Sequence, residues 1–194
     1  MIAFLGGLLV FLGIHSVRIF APNVRSRLIA GFGGGQKGET LWKVAYSIIA
    51  LLSLIWLVSG YNAAKSALGF VWLPPTWMAH ITLLLMLPAL ILLVAAYIPS
   101  KIKALARHPM LLSVKIWAFA HLLANGMGVH LMLFGGFLIW AVLDRISVKK
   151  RGEPDPVAPK GWVGDVIAVL LGTGAWVVLL LWGHQWLFGV APIG

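Results

Sequence analysis

The 194-residue chain has no cysteine and only five acidic residues. Without thiols there can be no disulfide, no thiolate metal site, no iron–sulfur cluster and no thiol switch, and histidine is left as the one soft ligand present in number. So few carboxylates also leave zinc hydrolase chemistry without a base, and no H-E-x-x-H pattern occurs. Charged residues of both signs make up 10% of the chain against 61% hydrophobic residues, a balance outside the range of a water-soluble domain. The sequence therefore reads as an integral membrane protein.

The net charge of +10 does not point to nucleic acid, because the basic residues sit between apolar runs. Apolar segments at roughly 1–21, 42–60, 76–98, 110–125, 128–147 and 162–188 approach the length of about 20 residues that spans a bilayer. The expected architecture is an all-α bundle of about six transmembrane helices, forming a single domain over residues 1–194. Its short fourth span and its fifth are expected to form a tight hairpin through Asn125-Gly126-Met127-Gly128, with glycine supplying positive φ.

Fourteen of the fifteen Lys and Arg residues fall in or beside the first, third and fifth connections, and only Lys65 lies in the second. The positive-inside rule then places those connections in the cytoplasm and both termini on the opposite, periplasmic side of a bacterial inner membrane. Met1–Ala21 carries no basic residue before its apolar run, so it reads as a retained anchor ended by Pro22. Trp42, Trp72, Trp77, Trp162, Trp182 and Trp186 are expected in interfacial belts. Gly33-Gly34-Gly35-Gln36-Lys37-Gly38 fits G-x-G-x-x-G but follows a membrane helix rather than a strand, so a flexible linker is expected there. "RGEPDPVAPK" from Arg151 to Lys160 is an extended connector. Small residues at Ala3, Gly6, Gly7 and Gly13, and the pair Gly135-Gly136, mark close helix packing.

Ionisable groups inside a bilayer are costly and mark functional sites by default. Of six histidines, His80, His130 and His184 fall near the outer ends of their spans, where interfacial water explains them. His15 lies about 9 Å inside the end marked by Pro22 and His121 about 16 Å beyond Met110, a difference in depth that helix tilt absorbs. Two facing imidazoles suit haem, which needs axial nitrogens, an apolar flat pocket and cations near its propionates. Trp117 shares a helical face with His121, while Arg18, Arg107 and His108 supply positive charge on the cytoplasmic side. Lys115 is expected to snorkel back to that side.

Gly13-Ile14-His15-Ser16-Val17-Arg18, Arg107-His108-Pro109-Met110-Leu111-Leu112, Trp117-Ala118-Phe119-Ala120-His121-Leu122-Leu123-Ala124-Asn125-Gly126 and Phe134-Gly135-Gly136-Phe137-Leu138-Ile139-Trp140-Ala141 together resemble the NnrU family. The resemblance covers nearly the whole chain. It implies a link either to bacterial nitrite and nitric oxide metabolism or, through plant relatives, to haem-b-dependent cis–trans isomerisation of an apolar polyene. It also implies haem b with His15 and His121 as axial ligands. The plant enzymes carry a cysteine where this chain has Ala118, so ligand exchange through a thiol does not transfer. Arg107-His108-Pro109 is similar as well to a motif of membrane methyltransferases that bind S-adenosylmethionine, but Ser113 stands where those enzymes have glycine and the C-terminal segment lacks their carboxylates. A structural membrane protein without cofactor is the remaining alternative.

Overall fold

A computed structural model describes residues 1–193. The chain is all-helical: α1 (Ile2–Phe20), α2 (Pro22–Gly31), α3 (Gly35–Ala67), α4 (Trp77–Ala95), α5 (Lys101–Ala106), α6 (Pro109–Ala124), α7 (Gly128–Arg151), α8 (Val163–Val178), a π-helical turn (Leu179–Gly183) and α9 (His184–Phe188). Extended pairing among the described residues is limited to the single bridge Phe70–Met127. Five helical segments are long and apolar enough to cross a membrane, α8 through α9 counting as one, and α6 is a shorter apolar helix of 16 residues. The protein is thus a multi-pass membrane protein, with five helices of spanning length where about six were expected, α6 falling short of that length.

The chain forms two compact units. The first comprises Met1–Val71 and Met127–Gly136, the second Trp72–Gly126 and Phe137–Gly194. In the first, α1 lies against α3 at backbone distance. A Cβ on Gly7 would strike the Leu57 backbone nitrogen, and one on Gly60 would strike the Phe4 nitrogen, so both positions require glycine. Gly6 receives the Trp56 ring, whereas nothing lies within 4 Å of a Cβ at Gly13, which therefore takes no part in this packing. Gly136 meets Leu12, and Gly135 has open space.

Pro22 ends α1 and also opens α2, where its missing N–H and fixed φ suit a first helical turn. The glycine-rich stretch after α2 is a tight turn rather than a flexible linker. Gly33, Gly34 and Gly35 all have positive φ, and Gly38 lies so close to the Ile29 carbonyl that a side chain would collide. Arg25 closes the α2–α3 corner with both carboxylate oxygens of Glu39, at 3.1 and 2.8 Å. Trp42 is buried instead of interfacial, while Trp77, Trp162, Trp182 and Trp186 are more than half exposed.

In the second unit α4 packs against both α6 and α8. Pro88 sits inside α4 and removes one helical hydrogen bond. Neighbouring carbonyls take donors from other helices: Ser113 Oγ donates to Ala89 O at 2.7 Å, and Trp176 Nε1 to Leu83 O at 3.0 Å. Thr82 Oγ1 joins α4 to α6 through Ala120 O at 2.7 Å. Gly172 brings α8 against Ile91. Ser113→Ala is expected to cost about 1 kcal/mol, the usual worth of such a bond between membrane helices, and thermal unfolding in detergent measures it.

The α6–α7 connection needs its glycines for a different reason than positive φ, which neither Gly126 nor Gly128 adopts. Gly126 accepts from Trp72 N at 3.2 Å, and its Cα lies so close to the Trp72 carbonyl that any Cβ would overlap it. Gly128 donates to Gly69 O at 3.0 Å. The requirement is backbone proximity.

Candidate functional site

His15 and His121 are built alike. Each lies in a helix and directs Nδ1 to the carbonyl one turn back, His15 to Phe11 O at 2.7 Å and His121 to Trp117 O at 2.9 Å. A carbonyl oxygen only accepts, so Nδ1 carries the proton and, in the neutral ring, Nε2 carries the lone pair. That bond fixes tautomer and orientation, and it is the arrangement found behind metal-bound imidazoles.

The surroundings of each ring are aromatic and half-buried. In the first unit His15 stacks on Phe11 at 4.3 Å and meets the edge of Tyr46 at 5.1 Å. In the second, His121 lies 5.4 Å from Trp117, whose ring meets Phe137 edge-on at 5.4 Å. The i,i+4 spacing of Trp117 and His121 thus does bring the two rings together. The adjoining Ala118 is fully buried. Asn125 Nδ2 donates to His121 O at 2.9 Å and closes the end of α6.

Arg18, exposed in the last turn of α1, stands one turn from His15. Arg107 and His108 stand at the opposite end of α6 from His121, about 20 Å along the helix. Arg107 has φ 60° and ψ −51°, and His108 N donates to Ala106 O at 2.6 Å. This is a strained γ-turn with positive φ, a conformation that costs a non-glycine residue about 1–3 kcal/mol. An ion pair from Arg107 Nε to Asp155 at 3.2 Å helps hold it, and it places the extended Arg151–Lys160 connector beside the turn.

His108, outside the spans, is held below the usual imidazole range, first by burial and then by the positive charge of Arg145; Glu153, Asp155 and Asp144 oppose the shift. The folded state therefore favours the neutral ring. Its contribution to stability is present above the ordinary value of about 6.5 and is lost as pH falls toward the folded value. Arg145→Gln is expected to raise the His108 midpoint, which NMR titration of the ring reads directly.

The other histidines divide clearly. His80 is exposed. His130 is committed through Nε2, which stands 2.6 Å from Tyr61 Oη, and its buried Nδ1 has no hydrogen-bond partner. Tyr61 had no signal in the sequence, since a tyrosine at the end of an apolar run reads as an interfacial anchor. His184 directs Nδ1 to Val190 O at 2.7 Å, and its ring centre lies 6.5 Å from that of His121 with the planes 21° apart. Among the described residues no three His, Asp or Glu side chains group to hold a bare metal ion. A macrocyclic iron, which brings four of its own ligands, asks the protein for only one or two imidazoles.

Residues 3–192 match a family model described as NnrU protein. Neither a curated protein nor a solved structure matches the chain.

Proposed function

Starting from the chain's membership of the NnrU family, we propose that it is a haem-b-binding membrane protein with His15 and His121 as the axial ligands. The observation that supports this reading is the shared form of the two imidazoles, each set in a helix among aromatic rings with Nδ1 directed to the backbone carbonyl one turn back. Bound haem supplies an iron centre at which a small molecule or a double bond is polarised or an electron passes.

This chain's residues supply the rest. Phe11, Tyr46, Trp117 and Phe137 give the two histidines aromatic, water-poor surroundings. Arg18, one turn from His15, and Arg107 and His108 at the start of α6 would supply the positive charge on the propionate side. With Ala118 in place of a thiol, histidines would be the side chains that hold the iron. The family resemblance gives such a centre two uses, isomerisation of an apolar polyene or handling of nitric oxide in nitrite metabolism.

Titration of the detergent-purified protein with hemin tests the reading. Saturation at one haem per chain is expected, and binding of S-adenosylmethionine without any hemin binding would overturn it. A cis-polyene converted by the reduced protein identifies the isomerase use; spectral change on nitric oxide addition with no conversion identifies the other.

A further inference from the structure

Helix α2, which reads as a basic loop in the sequence, packs through one face and leaves another uncovered. Its Arg25 and Ile29, one helical turn apart, meet α3: Arg25 pairs with Glu39, and the Ile29 carbonyl lies against Gly38. The two contacts are about 6 Å apart along α2 but fall on adjacent residues of α3, so α2 crosses the start of α3 instead of running beside it.

That start lies at the membrane surface. Helix α3 has 33 residues and is about 50 Å long, against a hydrocarbon core of about 30 Å, and Lys37, Glu39 and Lys43 occupy its first turns. Crossing there, α2 lies along the surface of the bilayer that α1 and α3 span.

On this helix Val24, Leu28 and Phe32, at i, i+4 and i+8, form an apolar stripe that is 47%, 41% and 37% exposed. Asn23, Ser26 and Arg27 occupy the polar side. Glu39 is the sole carboxylate between residues 20 and 43, and Arg25 takes both its oxygens. Arg27, Lys37 and Lys43 are exposed, with no further acidic side chain in the segment to balance them. An apolar stripe bordered by such cations fits one neighbour at that depth, the acyl boundary of a leaflet with anionic headgroups around it.

We propose that α2 is an interfacial helix that binds anionic phospholipid. Val24, Leu28 and Phe32 enter the acyl boundary, and Arg27, Lys37 and Lys43 meet headgroup phosphates. Arg25 has a different task, holding α2 on α3 through Glu39. Because the crossing is fixed, stripe and cations are presented together and no loose loop has to be ordered on binding.

The chain has no cysteine, so single nitroxide labels at Leu28→Cys and Ser26→Cys report the depth of each face in the full-length protein. Both positions are exposed, so neither label disturbs the packing on α3. In vesicles of phosphatidylcholine with phosphatidylglycerol added, the Leu28 label is expected to collide with oxygen in preference to a water-soluble nickel chelate, and the Ser26 label with the chelate. Phosphatidylglycerol should carry the Leu28 label deeper than phosphatidylcholine alone, and Arg27→Gln with Lys37→Gln should abolish that response. Preference for phosphatidylglycerol, read by native mass spectrometry, should fall about fivefold for each charge removed. A Leu28 label as open to the chelate as the Ser26 label, or equally deep in both vesicles, would overturn the proposal. Spin–spin broadening between Leu28 labels on separate chains would overturn it in favour of a second copy covering the stripe.

Discussion

Replacing His121 with alanine is expected to lower haem occupancy by well over tenfold while the protein stays folded. On the proposed reading His121 is one of the two imidazoles that would hold the iron. Its fold contributions survive the change: Asn125 bonds to the His121 backbone carbonyl, which alanine keeps, and the buried contacts of α6 run through Leu111, Ser113, Ala118 and Ala120. The absorbance of the Soret band relative to that of protein gives the occupancy, and circular dichroism gives the helix content. His130→Ala is the matched control and should leave occupancy unchanged, because that ring is engaged with Tyr61. Equal loss in both variants would show an effect of packing rather than of ligation.

The largest effect on stability is expected at Gly7. A leucine there would place its Cβ against the backbone of Leu57, and neither helix can yield without losing the neighbouring contact of Gly60 with Phe4. Forced overpacking costs about 1–3 kcal/mol and more where backbone is struck. Gly7→Leu should therefore lower the thermal midpoint in detergent sharply or prevent folding. Gly13→Ala, on the same helix but facing open space, should fall within about 0.5 kcal/mol of wild type. If the two variants unfold alike, α1 and α3 do not meet at Gly7.

Composition and hydrophobic length made the spans legible, because a bilayer imposes them without regard to packing detail. Residues whose role depends on a neighbour were harder to read. Gly6 and Gly7 share a small-residue pattern with Gly13, yet only the first two meet α3, since which face a neighbour covers is decided by tertiary contacts. Helix α2 was hidden because its mixed polar sequence, "PNVRSRLIAG", resembles a basic loop until Pro22 is seen as a helix start. Trp42 looked interfacial by position but lies buried.

The candidate site divides in the same way. The Trp117–His121 pair follows from helical spacing alone. The bond between His184 Nδ1 and the Val190 carbonyl does not, for it depends on a π-helical turn and a left-handed glycine that no local apolar period announces. That Arg107 and His108 stand at the start of α6 was legible from Pro109, which opens a helix running unbroken to Ala124.

The most direct test of the central claim is the visible spectrum of the protein purified in detergent from haem-replete cells. The structure-based account predicts a Soret band with the sharp reduced-state bands of bis-imidazole haem b, lost in His121→Ala. A folded wild-type protein that remains colourless after hemin is added would contradict it.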